Sequence, residues 1–509
     1  MIELRTADEI RNAEAILLAE LPDGALMRRA ATGLEVACAR LIDSTLGVLT
    51  GSRVVLLVGS GNNGGDALWA GAGLAKRGCR VDAIAIADRV HTEGASALAG
   101  AGGRVHAWDA NDARLSALID NADLVIDGIL GIGGDGALRP DAASVVDAVA
   151  RSGAIVVAVD VPSGVSADTG TIAGSAVAAD VTVTFGAVKP GLLVAPGVLR
   201  SGSVLLIDID LPFAEPASLL SMESLDVADW VVEPAADAYK YRRGVVGVAA
   251  GSAAYPGAAL LSTAAARRGN VGMARFLDRS DGVAALVVSQ FPDIVIDGSD
   301  PQSQDRVDAW VCGPGFSGDE VDAMTVRAVL SVSRPVVFDA GALSVLANNE
   351  DVREAVRQRA EAGLATLLTP HDGEFERLFP GLLASGIGRL EAARQASAQS
   401  RAILVLKGPG TIVAAPEGIS YVDTEGTSDL GTAGSGDVLS GILGAILAGA
   451  WAGERRTSDE LAAATAAAVW LHGAAGRIAA SGAPVVATDI ADSVAEAIRL
   501  ARFGPEHAS

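Results

Sequence analysis

Short apolar runs alternate along the chain with longer segments in which apolar residues recur every three or four positions. The short runs predict buried strands and the longer segments predict helices, so both halves of the chain predict α/β structure with a mostly parallel, doubly wound sheet. The predicted helices include 7–19, 24–42, 66–77 and 142–151. The predicted strands are 53–58, 81–86, 124–126, 154–159, 181–185 and 204–209, then 245–249, 272–277, 309–311, 335–338, 365–368 and 403–406.

The alternation breaks between residues 211 and 237, where three prolines stand among acidic and small residues. Such a stretch is typical of a connection between domains. A chain of 509 residues also exceeds the size of a single hydrophobic core. We therefore expect two domains, residues 1–215 and 240–509, joined by a linker at 216–239. The halves share a rhythm but not their motifs, so they do not indicate a duplication.

The composition indicates which kinds of molecule the protein can bind. The net charge of −23 argues against a nucleic-acid surface or an anionic membrane patch. No uninterrupted apolar run of about twenty residues predicts a membrane span, and the N-terminus lacks a signal core. The three cysteines are far apart without metal-ligand spacing, which favours a reducing compartment. We expect a cytoplasmic protein that binds neither nucleic acid nor membrane and holds anions by helix termini and single cations.

Polar side chains follow several predicted strands of the first half. The loop GSGNNGGD occupies 59–66, DGILGIG occupies 127–133, and DVPSG occupies 160–164. Because parallel strands end at one edge of a sheet, these side chains predict an oxygen-rich site there that could bind a hard cation. Lys189, one of only four lysines, follows another strand in the segment 184–191. A carboxylate and an ammonium at adjacent strand ends suggest Asp160 as a general acid or base, with Lys189 as its partner.

These motifs, in this order, resemble the NAD(P)H-hydrate epimerase family over residues 1–215. The resemblance implies a potassium site formed by Asn63, Asp127 and Ser163, and a substrate-contacting acid at Asp160. It implies interconversion of R and S hydrates, either by ring opening or by loss and return of the C6 hydroxyl. The further residues implied to contact the hydrated dinucleotide are Asn62, Asn63, Gly64, Gly65, Asp66, Gly131, Ile132, Gly133, Gly134, Asp135, Gly136 and Ala137.

The second half carries a second series of loops after strands. The most informative is GTAGSGD at 431–437, which runs directly into an apolar helix. A glycine-rich turn at a helix start leaves N–H groups open for phosphate oxygens. Asp437 closes this turn and would repel phosphate, so we interpret it as a proton acceptor or metal partner. His371 stands in a TPHDGE loop, where Glu374 either serves the site or caps the next helix.

This series resembles the ADP-dependent NAD(P)H-hydrate dehydratases, a ribokinase-like family, over roughly residues 240–500. The resemblance implies ADP as co-substrate, accompanied by Mg²⁺. It places Lys407, Gly408, Pro409, Gly410, Thr411 and Gly436 on the nucleotide, and Ala258, Gly315, His371 and Asp437 on the hydrated dinucleotide. Two positions depart from the family pattern. Gly341 stands where an Asp is common, and residues 427–429 read Thr-Ser-Asp in a segment that often carries an Asn.

Together the two resemblances imply a Rossmann-like epimerase domain followed by a ribokinase-like dehydratase domain. In that hypothesis Asp437 removes the proton of the C6 hydroxyl, the oxygen attacks the terminal phosphoryl group of ADP, and phosphate then leaves. A homo-oligomer is expected from the Ala/Gly-rich helices. The alternative is a ribokinase-like kinase for a hydroxymethylpyrimidine or a sugar, with a non-catalytic binding module in front of it.

Overall fold

The computed structural model describes residues 1–134, 136–231, 233–279, 281–298, 300–304, 306–452 and 456–504. The chain forms two compact units. One comprises Glu3–Ala217, and the other comprises Ser218–Ser509 together with Met1–Ile2. Each unit is built around its own β-sheet. In the described parts of the chain, no helix is both long enough and apolar enough to cross a membrane.

The first unit alternates strands and helices. Strand β1 (Ile2–Leu4) begins the chain, and the strands of the first sheet are β2 (Arg53–Val58), β3 (Arg80–Ala85), β4 (Arg104–Ala107), β5 (Leu124–Gly128), β6 (Ile155–Val159), β7 (Val181–Phe185) and β8 (Ser203–Ile207). Its helices are α1 (Ala7–Glu20), α2 (Ala25–Leu46), α3 (Asn62–Lys76), α4 (Thr92–Gly100), α5 (Ala113–Asp120), α6 (Pro140–Val149), α7 (Pro190–Leu193) and α8 (Val198–Ser201).

The first sheet has the order β4-β3-β2-β5-β6-β7-β8, and every pair in it is parallel. Strands β2 and β5 are buried along almost their whole length because helices cover both faces of the sheet. Two apolar clusters lie on opposite faces; Leu56 belongs to one and Leu57 to the other. The strand order reverses between β2 and β5, which opens a crevice beyond their carboxyl ends.

The strands and helices of the second unit are numbered after those of the first. Its strands are β9 (Leu219–Ser221), β10 (Val245–Ala249), β11 (Met273–Leu277), β12 (Val295–Asp297), β13 (Ala309–Cys312), β14 (Val336–Phe338), β15 (Thr366–Leu368), β16 (Ile403–Leu406), β17 (Ile412–Ala414) and β18 (Ser420–Val422). Its helices are α9 (Ser224–Ala228), α10 (Pro256–Arg268), α11 (Val283–Gln290), α12 (Glu320–Leu330), α13 (Gly341–Asn348), α14 (Glu350–Glu361), α15 (Asp372–Leu378), α16 (Arg389–Ser400), α17 (Ser435–Trp451), α18 (Ser458–Ala480) and α19 (Ala487–Phe503).

The second sheet has the strand order β1-β9-β18-β17-β16-β15-β14-β13-β10-β11-β12. The pairs from β12 to β16 are parallel, whereas β16, β17 and β18 form antiparallel pairs. The order reverses between β10 and β13, so the loops after these two strands flank a second crevice. The loops are joined there, since the amide of Gly251 donates to the carbonyl of Pro314 at 2.7 Å.

The α/β class and its two domains are confirmed, and each predicted strand is present within a few residues of its predicted bounds. The sequence pattern did not reveal β1, β4, β9, β12, β17 or β18, which are short strands at or near the sheet edges. The segment 216–239, expected to be a linker, contains β9 and α9, and the division between the two units lies between Ala217 and Ser218.

Candidate functional site

The loop after β2 leads directly into α3 and leaves the start of that helix open. Gly61 is the N-cap residue and supplies no side-chain hydrogen bond to the first turn. Glycine is required nearby for close packing, because a Cβ atom on Gly64 would lie 2.4 Å from the carbonyl oxygen of Gly59. A Cβ atom on Gly131 would lie 2.8 Å from Oδ1 of Asn63. The loops after β2 and β5 therefore meet closely and present free N–H groups to an anion.

A cavity of about 760 Å³ opens at this crevice of the first unit. Most of the sequence-predicted residues line it, namely Asn62, Asn63, Asp66, Gly131, Ile132, Gly133, Gly134, Asp160 and Lys189. Gly136 lies in a small adjoining cavity of about 60 Å³, and the Cβ atom of Ala137 faces Gly174. Gly64 and Gly65 shape the turn behind the cavity, and Asp135 lies outside the described residues.

Asp160 and Lys189 form a buried ion pair at one end of this cavity. The ammonium of Lys189 also donates to the hydroxyl of Thr184 at 3.0 Å and to the carbonyl of Phe185 at 2.9 Å. Asp160 accepts a further bond from Thr184 Oγ1 at 3.2 Å. Its backbone has φ of 67°, a left-handed conformation that non-glycine residues rarely adopt and that clusters at functional sites. The carboxylate is thus held by several donors and turned into the cavity.

The first helix also contributes to this cavity, which was not expected from the sequence. Arg11 and Glu14 of α1 line it, as do Arg28 of α2 and His91 before α4. Burial, followed by the charge of Asp160, raises the pKa of Glu14. No local motif marks these residues, because only the packing of α1 and α2 against the sheet edge brings them to the strand ends.

Asn63, Asp127 and Ser163 lie in one hydrogen-bonded cluster beside the cavity. Ser163 donates to Asp127 through its hydroxyl at 2.7 Å and its amide at 2.8 Å, and Asn63 Nδ2 donates to the carbonyl of Leu130 at 2.9 Å. Asp127 is fully buried, and burial raises its pKa to about 6, although its hydrogen bonds with Ser163 and Ile129 oppose the rise. Among the described residues no cationic side chain pairs with Asp127.

This donor set fits a monovalent cation. It offers one carboxylate and several neutral oxygens, and no cluster of three acidic, histidine or cysteine side chains suited to a transition metal occurs in the described chain. A buried carboxylate without a compensating charge is costly, and a bound cation would remove that cost. The predicted potassium ligands are therefore chemically consistent with the role.

In the second unit, Lys407 is held by Asp339, which follows β14. The Lys407 ammonium lies 2.7 Å from Asp339 Oδ1, and the Thr369 and Ser440 hydroxyls each donate to the same carboxylate at 2.7 Å. Burial acts to raise the pKa of Asp339, but the Lys407 charge and these hydrogen bonds outweigh it and hold that pKa below its usual value. No role for Asp339 was expected from the sequence. The pair orients Lys407 towards the start of α17.

Asp437 lies in the first turn of α17, behind the glycine-rich loop. The helix begins at Ser435, and its N-cap residue Gly434, with φ of 89°, supplies no side-chain hydrogen bond, so the first N–H groups are open. Burial, followed by the negative charge of Asp339, raises the pKa of Asp437 to about 6, while Lys407 acts in the opposite direction. A carboxylate with such a pKa can accept a proton near neutral pH.

A buried histidine that sequence analysis missed supports this loop. His472 of α18 lies with Nε2 3.0 Å from both the carbonyl oxygen and the hydroxyl of Ser435. Burial lowers its pKa to about 4, so the ring is neutral at pH 7 and can donate one N–H to the carbonyl. The histidine is separated from the loop by 37 positions in sequence, which left no local signal.

His371 and Glu374 form a reciprocal cap on α15. His371 Nδ1 accepts from the amide of Gly373 at 3.0 Å, and Glu374 accepts from the amide of His371 at 3.0 Å. The capping interpretation of Glu374, left open by the sequence, is therefore confirmed. Glu374 also lies 3.8 Å from the Lys407 ammonium, while the His371 ring remains 57% exposed and accessible to a ligand.

The remaining predicted residues lie in loops at the same carboxyl edge of the second sheet. Gly315 has φ of 71°, and a Cβ atom on it would lie 2.6 Å from the Cβ atom of Ala258. These two residues therefore meet across the crevice between β10 and β13. After β16, Lys407–Thr411 form a turn in which Thr411 donates to the carbonyl of Gly408 at 3.0 Å. Arg389, also missed, donates to the carbonyl of Lys407 at 3.1 Å and brings a cation to this turn.

The departure at Gly341 has a steric explanation. A Cβ atom there would lie 2.5 Å from the Cβ atom and 2.7 Å from the carbonyl oxygen of Phe316. The Phe316 ring in turn packs 4.0 Å from the Arg279 guanidinium carbon, measured to the ring centroid. An acidic side chain at 341 does not fit this loop path.

Comparisons with known proteins agree with both halves. The family model described as NAD(P)H-hydrate dehydratase matches residues 246–499, and the model described as YjeF-related protein N-terminus matches residues 23–191. The bifunctional NAD(P)H-hydrate repair enzyme Nnr of Mycobacterium tuberculosis is 41% identical over 444 residues, which are 87% of this chain and 88% of that protein. The same enzyme of Mycobacterium leprae is 41% identical over 440 residues, 86% of this chain and 88% of that protein.

Solved structures resemble parts of the chain. The crystal structure of an ADP/ATP-dependent NAD(P)H-hydrate dehydratase from Bacillus subtilis, co-crystallised with ATP and Mg²⁺, is 26% identical to the chain. It covers 55% of this chain and 98% of its own, with a TM-score of 0.46.

Proposed function

The chain belongs to the family of bifunctional NAD(P)H-hydrate repair enzymes, and from that premise we propose which of its residues carry the two reactions. The first unit is an NAD(P)H-hydrate epimerase and the second a nucleotide-dependent NAD(P)H-hydrate dehydratase. Family membership decides against the alternative of a sugar or hydroxymethylpyrimidine kinase with a non-catalytic first half. The observation that carries the residue assignment is that each unit places a carboxylate near a lysine: Asp160 is paired with Lys189, and Asp437 lies in the first turn of α17, where the charge of Lys407 acts on it.

In the epimerase unit, Asp160 exchanges a proton with the C6 hydroxyl or with the water that replaces it. The Lys189 ammonium compensates the charge of the carboxylate and fixes its position through the shared hydroxyl of Thr184. The open N–H groups at the start of α3 and in the loop 131–134 bind the diphosphate of the dinucleotide. Asn62, Asn63, Gly64, Gly65, Asp66, Gly136 and Ala137 complete the substrate contacts, and Asp135 is assigned to them by sequence alone.

Potassium is proposed to bind Asn63, Asp127 and Ser163. When bound, the ion supplies a fixed positive charge beneath the cavity. The support for this assignment is the uncompensated Asp127 carboxylate, fully buried among neutral oxygens. The carbonyl of Leu130, which accepts from Asn63, lies in the same cluster.

Potassium should therefore stabilise the first unit and speed epimerisation. We expect K⁺ to raise the apparent melting temperature relative to choline, because a ligand that binds only the folded state stabilises it by mass action. Asp127→Asn should lose this response, whereas the exposed control variant Asp43→Asn should keep it. Differential scanning fluorimetry across a series of KCl concentrations measures the effect. An equal K⁺ response in Asp127→Asn would exclude the proposed site.

In the dehydratase unit, Asp437 accepts the proton of the C6 hydroxyl of the S hydrate. The oxygen attacks the terminal phosphorus of ADP, and the bond to the bridging oxygen breaks with release of AMP. The ring nitrogen lone pair then expels phosphate from C6, and loss of the C5 proton restores the dihydronicotinamide ring. The N–H groups of 434–436 stabilise charge on the transferring phosphoryl group. Mg²⁺ bound with the nucleotide would neutralise diphosphate charge.

The other assignments follow from the geometry of the second crevice. Lys407, held by Asp339, supplies a point charge for phosphate beside Gly436, and residues 408–411 line the nucleotide. Ala258, Gly315 and the exposed His371 ring contact the hydrated dinucleotide. We further propose ADP rather than ATP as the co-substrate, a homo-oligomeric state and a cytoplasmic location.

The two activities can be separated by omitting the nucleotide. Full-length protein supplied with pure R or pure S hydrate should equilibrate the two forms without ADP and form no NAD(P)H. Addition of ADP should restore the absorbance of reduced nicotinamide with one phosphate and one AMP per turnover. Chromatography of the hydrates and products follows both steps. A stable phosphorylated product instead of NAD(P)H would contradict the proposed dehydration chemistry.

A further inference from the structure

Asp66 is a buried carboxyl group without a hydrogen-bond partner at the wall of the epimerase cavity. It is 8% exposed and lies in the early part of α3, where it lines the cavity together with Asp160. Its Oδ1 atom is buried and accepts no hydrogen bond from any described residue. Buried polar groups in folded proteins nearly always have partners, so an unpartnered carboxyl oxygen in the wall of a cavity marks a place for a proton.

Asp66 and Asp160 occupy opposite environments in the same cavity. Asp160 is paired with the Lys189 ammonium and accepts from Thr184. Asp66 has no such compensation, and Glu14 adds a second negative group from α1. Two carboxyl groups in contrasting environments are the usual arrangement for dividing acid and base roles in one active site.

We propose that Asp66, as a neutral carboxylic acid, donates the proton with which the C6 hydroxyl leaves during epimerisation. The inference rests on the proposed epimerase site around Asp160. The Asp66 proton passes to the hydroxyl oxygen, the C6–O bond breaks, and water departs with the bonding electron pair. The ring nitrogen lone pair forms a double bond to C6. Water then adds to the opposite face of C6 and gives one proton to Asp160, and proton return to Asp66 completes the cycle.

The electrostatics of the cavity support the neutral form of Asp66. Burial, then the charges of Asp160 and Glu14, raise its pKa well above the usual value for an aspartic acid. Of the cations that face this cavity, Lys189 is committed to Asp160, and Arg11 pairs with Asp8. The other charged or titratable groups that line the cavity are Asp23, Arg28, His91 and Glu93.

The pH dependence of epimerisation tests the proposal. Full-length protein is assayed without nucleotide, so that the dehydratase unit is idle, and the R and S hydrates are separated by chromatography. Because the acid must be protonated, kcat of the wild type should fall as the pH rises through the pKa of Asp66. Asp66→Asn should lower kcat by about 10²-fold or more with little change in KM, and should lose this falling limb. Asp66→Glu should restore part of kcat and part of the falling limb of the pH profile.

A second variant tests the role with Asp66 in place. Glu14→Gln removes a negative neighbour, which lowers the pKa of Asp66, so the falling limb should move to lower pH. A purely structural role for Asp66 predicts no such shift. In water enriched in ¹⁸O, each epimerisation should place solvent oxygen at C6. Absence of the label, or an unmoved limb in Glu14→Gln, would overturn the proposal.

The acid role of Asp66 can be disproved while the proposed epimerase site around Asp160 remains valid. If Asp66→Asn keeps the wild-type rate and pH profile while Asp160→Asn is inactive, the acid role of Asp66 is excluded and the Asp160 site stands. If Asp160→Asn keeps the wild-type rate, the proposed epimerase site itself is wrong.

Discussion

Asp437→Asn should lower the rate of S-hydrate dehydration by about 10³-fold while ADP still binds. The substitution keeps the shape of the side chain but removes the only atom in our mechanism that accepts the hydroxyl proton, and such proton transfers contribute about 10²- to 10⁴-fold. Steady-state release of NAD(P)H measures the rate, and calorimetric titration measures ADP binding. The epimerase activity of the same preparation serves as an internal control for folding, and it should be unchanged.

The same assignment fixes the pH dependence of dehydration. A general base must be ionised, and the pKa of Asp437 is raised to about 6, so kcat/KM of the wild type should increase as the pH rises and be half-maximal near pH 6. The residual activity of Asp437→Asn should lack this limb. A variant with wild-type turnover, or with the same rising limb, would show that another group accepts the proton.

Asp160→Asn should abolish interconversion of the R and S hydrates, with a loss of about 10³-fold, and leave S-hydrate dehydration intact. The asparagine cannot take up a proton in the cycle, and it leaves the Lys189 ammonium buried without its anionic partner. Incubation with pure R hydrate and ADP gives the clearest measurement. The wild type should convert all of it to NAD(P)H, whereas the variant should leave R hydrate unconsumed.

Two control experiments distinguish a loss of proton transfer from a loss of folding. Thermal unfolding should be monitored for the variant, since loss of a buried ion-pair partner is destabilising by about 3–5 kcal/mol. The double variant Asp160→Asn, Lys189→Met removes both charges and separates lost folding from lost chemistry. Restored epimerisation in the double variant would contradict the proton-transfer role of Asp160 and leave it a structural one.

The sequence predicted the strands that are buried on both faces, and the reason is physical. Strand β2 consists of five apolar residues after Arg53, a run that only a covered parallel strand requires. Strand β4 carries Arg104 and His106 and is largely exposed, so no apolar pattern marked it. Strands β17 and β18 are only three residues long; β17 pairs antiparallel with β16, and β18 pairs antiparallel with β17.

The site divides in the same way. The loops 59–66 and 431–437 could be recognised because their glycines and carboxylates stand together in sequence. The first follows the buried strand β2, whereas the second follows a short 3-10 helix at Ser428–Leu430 and not a strand, contrary to the expectation. The residues that contact those loops from distant parts of the chain could not be recognised from the sequence. Asp339 reaches Lys407 across 68 positions, and His472 reaches Ser435 across 37. Glu14 approaches Asp160 from the first helix. Each of these contacts exists only after distant elements have packed, so no local pattern encodes it.

The close approach of Phe316 to Gly341 limits which side chains position 341 can accept. The obstruction at position 341 includes the carbonyl oxygen of residue 316, so shortening the phenylalanine side chain alone would not make room for an acid. An aspartate at position 341 therefore fits only if the backbone of the neighbouring loop moves as well. Gly341→Asp alone would force that movement, so the substitution needs a second change in the loop to be accommodated.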